Sequence, residues 1–229
     1  MSSKTVLILG ANSDIGFALA EKFSLEGYSV LLAARNTQAI EQRLRSMDRK
    51  TEMSIVPFDA MNFQAHKSWF YTLPTMPDIT CCAFGYLGEQ SKAQEEWEEA
   101  STIISSNYTG AVAILNVVAA AYKNNTSGQI IGISSVAGDR GRQSNYIYGS
   151  AKAGFSAYLS GLRNALYKHG VHVLTVKPGF VATKMTAGLP LTKMLTATPG
   201  QVANRIIRAS HRRLNSIYVF SIWYWMMLV

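Results

Sequence analysis

The sequence predicts a single doubly wound α/β domain, a mostly parallel seven-stranded sheet with helices on both faces. Three observations lead there. Short apolar runs alternate with longer helical patterns, the order that parallel strands with crossover helices require. The runs are rich in Val, Ile, Leu and Phe without strict alternation, as strands buried on both faces are. The chain has 229 residues and is 48% hydrophobic, long enough for one large core and too apolar for disorder.

Strands are expected at residues 5–9, 29–33, 51–58, 79–83, 129–133, 171–177 and 217–220. Helices fill the gaps at 15–26, 37–46, 94–107 running on to 122, 144–169 and 199–213. The last has good starting chemistry, with Thr198 as N-cap and Pro199 at the first helical position. No internal repeat or low-complexity linker interrupts the series, so residues 1–221 read as one domain. Residues 222–229 form an apolar aromatic terminal segment.

Charge is divided unevenly. Residues 1–99 carry 9 basic and 13 acidic side chains, whereas residues 100–229 carry 13 basic side chains and one acid, Asp139. No docking-helix motif accompanies the basic half, so nucleic acid is not an expected partner. No window reaches the ~20 apolar residues of a membrane span, and the N-terminus leads straight into a strand without a secretory pattern. Cys81 and Cys82 are adjacent in an apolar run and are expected as two small buried side chains in a reducing cytoplasm. No metal centre is expected.

The first strand runs into Gly10-Ala11-Asn12-Ser13-Asp14-Ile15-Gly16 and then an amphipathic helix. Gly10 lets the chain turn tightly, and Gly16 lets the helix pack close to the strand. The free N–H groups of the helix start can then face a pyrophosphate, with Asn12, Ser13 and Ile15 lining it. An ordinary strand-to-helix turn also contains such glycines; on the cofactor reading the domain is Rossmann-type. The ribose-reading position, about 20 residues on, falls at Ala33-Ala34-Arg35-Asn36. It offers no carboxylate for a free 2′-hydroxyl, and Arg35 can pair with a 2′-phosphate, which favours NADP(H) over NAD(H). Arg35 can equally be a solvated strand terminus. Asp59, after the third strand, either accepts from an adenine amino group or caps a turn.

Tyr148-Gly149-Ser150-Ala151-Lys152 places a phenol and an ammonium on one helix face. A neighbouring cation is expected to lower the tyrosine pKa from about 10 toward neutrality, suiting it to proton exchange with a carbonyl or alcohol. Tyr146 faces another direction and is expected to pack or to line a substrate site. Upstream, Ser134 and Ser135 end a buried strand, where ligands bind in open α/β sheets.

Together these residues resemble the short-chain dehydrogenase/reductase family along nearly the whole chain. The resemblance implies a nicotinamide cofactor and a proton-transfer group of Ser135, Tyr148 and Lys152, with Ser135 a better match than Ser134. Asn107 is similar to the family's helix asparagine, which completes a water relay. Pro178-Gly179-Phe180-Val181-Ala182-Thr183 resembles the PGxVxT segment, implying that Pro178, Gly179, Val181 and Thr183 meet the nicotinamide. Two departures stand out. Leu9 and Asp14 replace a threonine and a glycine of the family's turn, and Asp14 repels a pyrophosphate unless its side chain turns away. Cys81-Cys82-Ala83-Phe84-Gly85 replaces the family's Asn-Asn-Ala-Gly, so Ala83, Phe84 and Gly85 line the cofactor without bracing amides.

The segment 184–198 is apolar but bears cations where the family places its substrate lid, and Trp223, Tyr224 and Trp225 follow a basic helix end. With the altered turn and Ala83-Phe84-Gly85-Tyr86-Leu87-Gly88, these features resemble more closely the reductase branch acting on decaprenylphosphoryl 2-keto-ribose. That resemblance implies a lipid-linked sugar substrate, a partner oxidase in cell-envelope synthesis, and peripheral contact with the inner face of the membrane. The alternatives are a soluble carbonyl reductase of a free small ketone, its terminal aromatics in a dimer interface, and a catalytically silent NADP-binding sensor. Family members are usually dimers or tetramers, so a homo-oligomer is expected. Lys184, Lys193, Arg205, Arg208, Arg212 and Arg213 are left as a basic surplus around the lid and the aromatic end.

Overall fold

A computed structural model describes residues 4–228. Met1–Ser3 and Val229, the outer ends of the two expected segments, lie outside the described residues. Seven strands form one parallel sheet: β1 (Thr5–Leu9), β2 (Ser29–Ala34), β3 (Met53–Pro57), β4 (Ile79–Cys82), β5 (Gln129–Ile133), β6 (His172–Lys177) and β9 (Ser216–Tyr218). Their order is β3-β2-β1-β4-β5-β6-β9, and every pair is parallel. The order reverses between β1 and β4, and the crevice at their carboxyl ends is where a doubly wound sheet binds ligands. A small parallel pair, β7 (Phe180–Val181) with β8 (Thr196–Ala197), stands apart from the sheet.

Two apolar layers cover the sheet. On one face lie α1 (Asp14–Leu25), α2 (Thr37–Leu44) and α8 (Pro199–His211), which bury Leu19, Phe23, Ile40, Val202 and Ile206. On the other lie α3 (His66–Tyr71), α6 (Gly110–Asn125) and α7 (Tyr146–Leu166), which bury Phe70, Ile114, Leu115, Val118, Phe155 and Leu159. Strand alternation sends Cys81 into the first layer and Cys82 into the second. Both thiols are buried and unbridged. Burial pushes Cys82 up to about 12 and Cys81 higher, so neither is a thiolate at neutral pH.

Several expected boundaries shift. The helix expected from 94 begins as α4 (Gln90–Glu95), breaks at the extended residue Glu96, and resumes as α5 (Trp97–Ile104). The segment Ser105–Thr109 is a π-helical turn leading into α6. The last strand is shorter than expected, and the terminal segment forms a helix, α9 (Ile222–Leu228). The α8 start is as expected: Thr198 accepts from the Gln201 N–H, and the Gln201 side chain accepts from the Thr198 N–H. Against expectation, the helical run Trp97–Asn125 is long and apolar enough to cross a membrane. Ile103, Ile114, Leu115 and Val118 on that run are buried in the protein.

Candidate active site

The turn after β1 is held from several directions. Gly10 has φ +87, in the left-handed region, and a Cβ there would lie 2.6 Å from the Phe84 nitrogen. Glycine is therefore required both by conformation and by the approach of the segment after β4. A Cβ on Gly16 would lie 2.6 Å from the Gly10 carbonyl oxygen. Ser13 caps α1 by accepting the Gly16 N–H at 3.0 Å. The Asn12 amide nitrogen donates to the Asn36 carbonyl at 2.6 Å, while its Oδ1 is buried without a partner among the described residues. Arg43 of α2 was not foreseen. Its guanidinium donates to the Asn12 carbonyl at 2.9 Å, lies 3.8 Å from the Phe17 ring centroid and reaches Asp14 at 3.5 Å.

Asp14 turns away from the helix mouth. Its Oδ2 accepts the Lys184 N–H at 2.8 Å, tying α1 to the segment after β7. A cleft of about 750 Å³ opens between these elements, lined by Asp14, Phe17, Arg43, Thr183, Lys184 and Leu191. It borders the glycine turn and does not include Tyr148. Arg35 is exposed just beyond β2, and Asn36 caps α2 by accepting the Ala39 N–H at 3.0 Å. Asp59 is exposed and uses Oδ1 to accept the Met61 N–H at 2.9 Å, so the turn-capping role is realised and Oδ2 remains.

Ser135, Tyr148, Lys152 and Asn107 converge at the carboxyl end of β5. The two serines divide their work. Ser134 is buried and its hydroxyl is committed, donating to the Lys152 carbonyl at 3.0 Å and meeting the Ser156 hydroxyl at 2.7 Å. The Ser135 hydroxyl accepts the Ala137 N–H at 3.1 Å and hydrogen-bonds Tyr148. The Lys152 ammonium is buried, donates to the Ile133 carbonyl at 3.1 Å and sits 5.7 Å from the Tyr148 ring centroid.

This geometry corrects the expected pKa. Tyr148 is partly exposed as a residue, but burial around its phenol pushes the group up to about 12, against a smaller downward pull from Ser135. Burial also lowers Lys152 to about 8, with Cys82 opposing. Desolvation disfavours both charged forms, and the ammonium is aimed at a carbonyl rather than at the phenol. The phenol therefore holds its proton at neutral pH. Tyr146 is exposed and stands outside this group.

Asn107 lies in the π-helical turn, a distortion frequent at functional positions. It is buried, donates to the Tyr86 and Ile103 carbonyls, and accepts the Tyr86 N–H at 3.3 Å. A Cβ on Gly85 would lie 2.6 Å from Asn107 Oδ1 and 3.4 Å from Lys152 Nζ. Asn107 thus braces the segment after β4, where the amide side chains are missing. Gln90, also unforeseen, accepts the Ile147 N–H at 3.1 Å and secures the first turn of α7. The Pro178 carbonyl accepts the Val136 N–H at 3.0 Å, joining the 178–183 segment to the turn after Ser135. Val181 is buried and Thr183 partly so.

Of the terminal aromatics, Trp223 is buried, while Tyr224 and Trp225 are exposed. Lys184, Lys193, Arg205, Arg208, Arg212 and Arg213 are all exposed, the two arginines of α8 on its solvated face.

A family model described as short chain dehydrogenase matches residues 4–193. An uncharacterised oxidoreductase of Streptomyces coelicolor is 34% identical over 221 residues, covering 94% of this chain and 87% of the relative. One from Mycobacterium tuberculosis is 35% identical over 209 residues, covering 89% and 83%. Among solved structures, a short-chain dehydrogenase from Sphingobium yanoikuyae in complex with NADPH superposes with a TM-score of 0.85 at 22% identity, covering 97% of this chain and 92% of that one. Another, from Burkholderia cenocepacia in complex with NADP, gives 0.86 at 19% identity, covering 99% and 92%.

Proposed function

The chain belongs to the short-chain dehydrogenase family, and from that premise we propose that it is an NADP(H)-dependent oxidoreductase reducing a carbonyl to an alcohol, with Tyr148 as proton donor. The observation that carries this reading is the convergence of Ser135, Tyr148, Lys152 and Asn107 where burial keeps the phenol protonated. A protonated phenol is the form that reduction consumes.

The residues fit the cofactor. Gly10, Ser13, Ile15, Gly16 and the start of α1 form the turn whose N–H groups would face a pyrophosphate, and at Gly10 and Gly16 there is no room for a Cβ. Asn12 Oδ1, buried and with no partner among the described residues, would accept from a ribose hydroxyl. Arg35 and Asn36 would receive a 2′-phosphate, and the second Asp59 oxygen an adenine amino group. Ala83, Phe84, Gly85, Pro178, Gly179, Val181 and Thr183 would line the nicotinamide end. The bound nicotinamide supplies the hydride. Tyr148 then gives its proton to the carbonyl oxygen, and Ser135 holds that oxygen as charge develops on it. The phenolate left behind is costly in a buried site. Lys152, still charged below about 8, offsets that cost and would bind the nicotinamide ribose. Asn107 shapes the path by which the phenol is reprotonated.

A narrower reading places the carbonyl on a sugar carried by a polyprenyl phosphate. Its support is the lid: Met185, Leu189 and Met194 are exposed beside the exposed cations Lys184 and Lys193, and Tyr224 and Trp225 are exposed on α9. Such a substrate would bring the protein to the cytoplasmic face of a membrane and pair it with an oxidase. Association as a homo-oligomer belongs to the same proposal.

NADPH oxidation by the intact protein, with polyprenylphosphoryl 2-keto-pentose set against simple ketones, tests both levels. Tyr148→Phe should lower kcat about 10³-fold with NADPH affinity little changed. No turnover of any ketone, or a Tyr148→Phe variant as fast as wild type, would overturn the reductase reading. Preference for simple ketones would overturn the narrower one.

A further inference from the structure

We propose that Trp223 is a positioning residue for the nicotinamide end of the cleft: its indole fixes the Gly179–Phe180 backbone and, through it, the turn that carries Ser135. This rests on the reductase reading above and assigns a role to the terminal helix that the reading does not use.

Trp223 is 2% exposed and is the buried residue of α9, whose neighbouring side chains Ile222, Tyr224 and Trp225 face solvent. It does not merely close the core. A Cβ on Gly179 would lie 2.0 Å from both Cε2 and Nε1 of Trp223, so the pyrrole edge of the indole lies directly on the Gly179 backbone. Gly179 does not adopt a left-handed conformation. Glycine is needed there for room alone, and Trp223 occupies that room. The next residue is held by the same ring, because Phe180 meets Trp223 edge-to-face with centroids 5.1 Å apart.

The clamped segment is tied to the proton-transfer group. On one side the Pro178 carbonyl accepts the N–H of Val136, the residue after Ser135. On the other, the Lys177 carbonyl accepts the Val219 N–H, and the Trp223 N–H closes a turn on the Phe220 carbonyl. A shift of the indole would therefore move Gly179, Pro178 and the Ser135 turn together.

The choice of tryptophan carries a cost. Its indole N–H is buried and finds no acceptor among the described residues, which a phenylalanine would avoid. What phenylalanine lacks is the longer pyrrole edge, the part that rests on Gly179.

The test uses the full chain and compares two ligands. NADPH spans both ends of the cleft, whereas adenosine 2′,5′-bisphosphate carries only the adenosine end. Trp223→Ala should weaken NADPH binding by about tenfold or more, with Trp223→Phe in between, while both variants bind the bisphosphate as wild type does. Retained bisphosphate binding reports an intact adenosine end, an unchanged far-ultraviolet circular dichroism spectrum reports an intact fold, and if Trp223→Ala does not fold, Trp223→Phe decides. Equal weakening of both ligands, or unchanged NADPH affinity, would overturn the role. Absence of NADPH binding by the wild-type protein would overturn the reductase reading and this inference with it.

Discussion

The two ends of the proposed cofactor cleft are held in different ways. The adenosine end is built locally. Gly10, Ser13 and Gly16 lie within one turn, and their bracing residues Asn36 and Arg43 come from the next crossover. The nicotinamide end is built from distance. Gly179 and Phe180 are fixed by Trp223, Pro178 by the turn after Ser135, and the region after β4 by Asn107. A local site tolerates change elsewhere in the chain. A site assembled from remote pieces can be lost by substitutions that touch no ligand.

Lys152→Met is the substitution that should separate the two ends most sharply. Reduction should fall about 10²-fold or more, while bisphosphate affinity stays as in wild type. The same variant should be more stable. Lys152 titrates at about 8 in the folded protein against an ordinary 10.5, so folding works against its charge. That cost is fully present below about 8 and is relieved as pH rises toward 10.5. Removing the amine at pH 7 should stabilise the fold by up to about 3 kcal/mol, measured by urea unfolding. In the wild-type enzyme, reduction should decline as pH rises past about 8, where Lys152 discharges, and not through loss of the Tyr148 proton.

At the other end, Arg35→Ala should weaken NADPH binding by about tenfold or more and leave NADH nearly unchanged. Equal losses for the two cofactors would remove Arg35 from the 2′-phosphate. The smallest effect is expected from Asp14→Asn, which alters a side chain that ties the glycine turn to the segment after β7. Its tie to Arg43 is long and partly exposed, and its bond to the Lys184 N–H survives in part through the amide oxygen. Stability should fall by about 1 kcal/mol or less, and added salt should shrink the difference between variant and wild type.

The contrast also explains what could be read from the sequence. Buried parallel strands announce themselves by composition, and each of the seven strands of the main sheet lies within a few residues of its expected place; the two-residue strands β7 and β8 are too short to leave such a run. The glycine turn, the Thr198 cap and the Tyr148/Lys152 spacing are local patterns and were equally readable. Helix α3 was missed because it is short and begins with a 3-10 turn; burial of His66 and Phe70 marks it, not a periodic pattern. The break at Glu96 leaves no proline or glycine behind. The sign of the Tyr148 shift was misjudged because spacing shows that a cation and a phenol share a helix face, but not that both are desolvated. Arg43, Gln90 and Trp223 act on residues far away in sequence. The acid at position 14 was the single available hint that a cation or donor would have to meet it.

Trp223 also bears on the order of synthesis. A growing chain can complete the glycine turn and its bracing helices early, since these need only the first strands and helices. Gly179 acquires its clamp only after α8, β9 and α9 have emerged from the ribosome. Until then the chain would carry a place for the adenosine end but no finished place for the reacting ring. An unfinished chain could then bind part of the cofactor without performing chemistry on it.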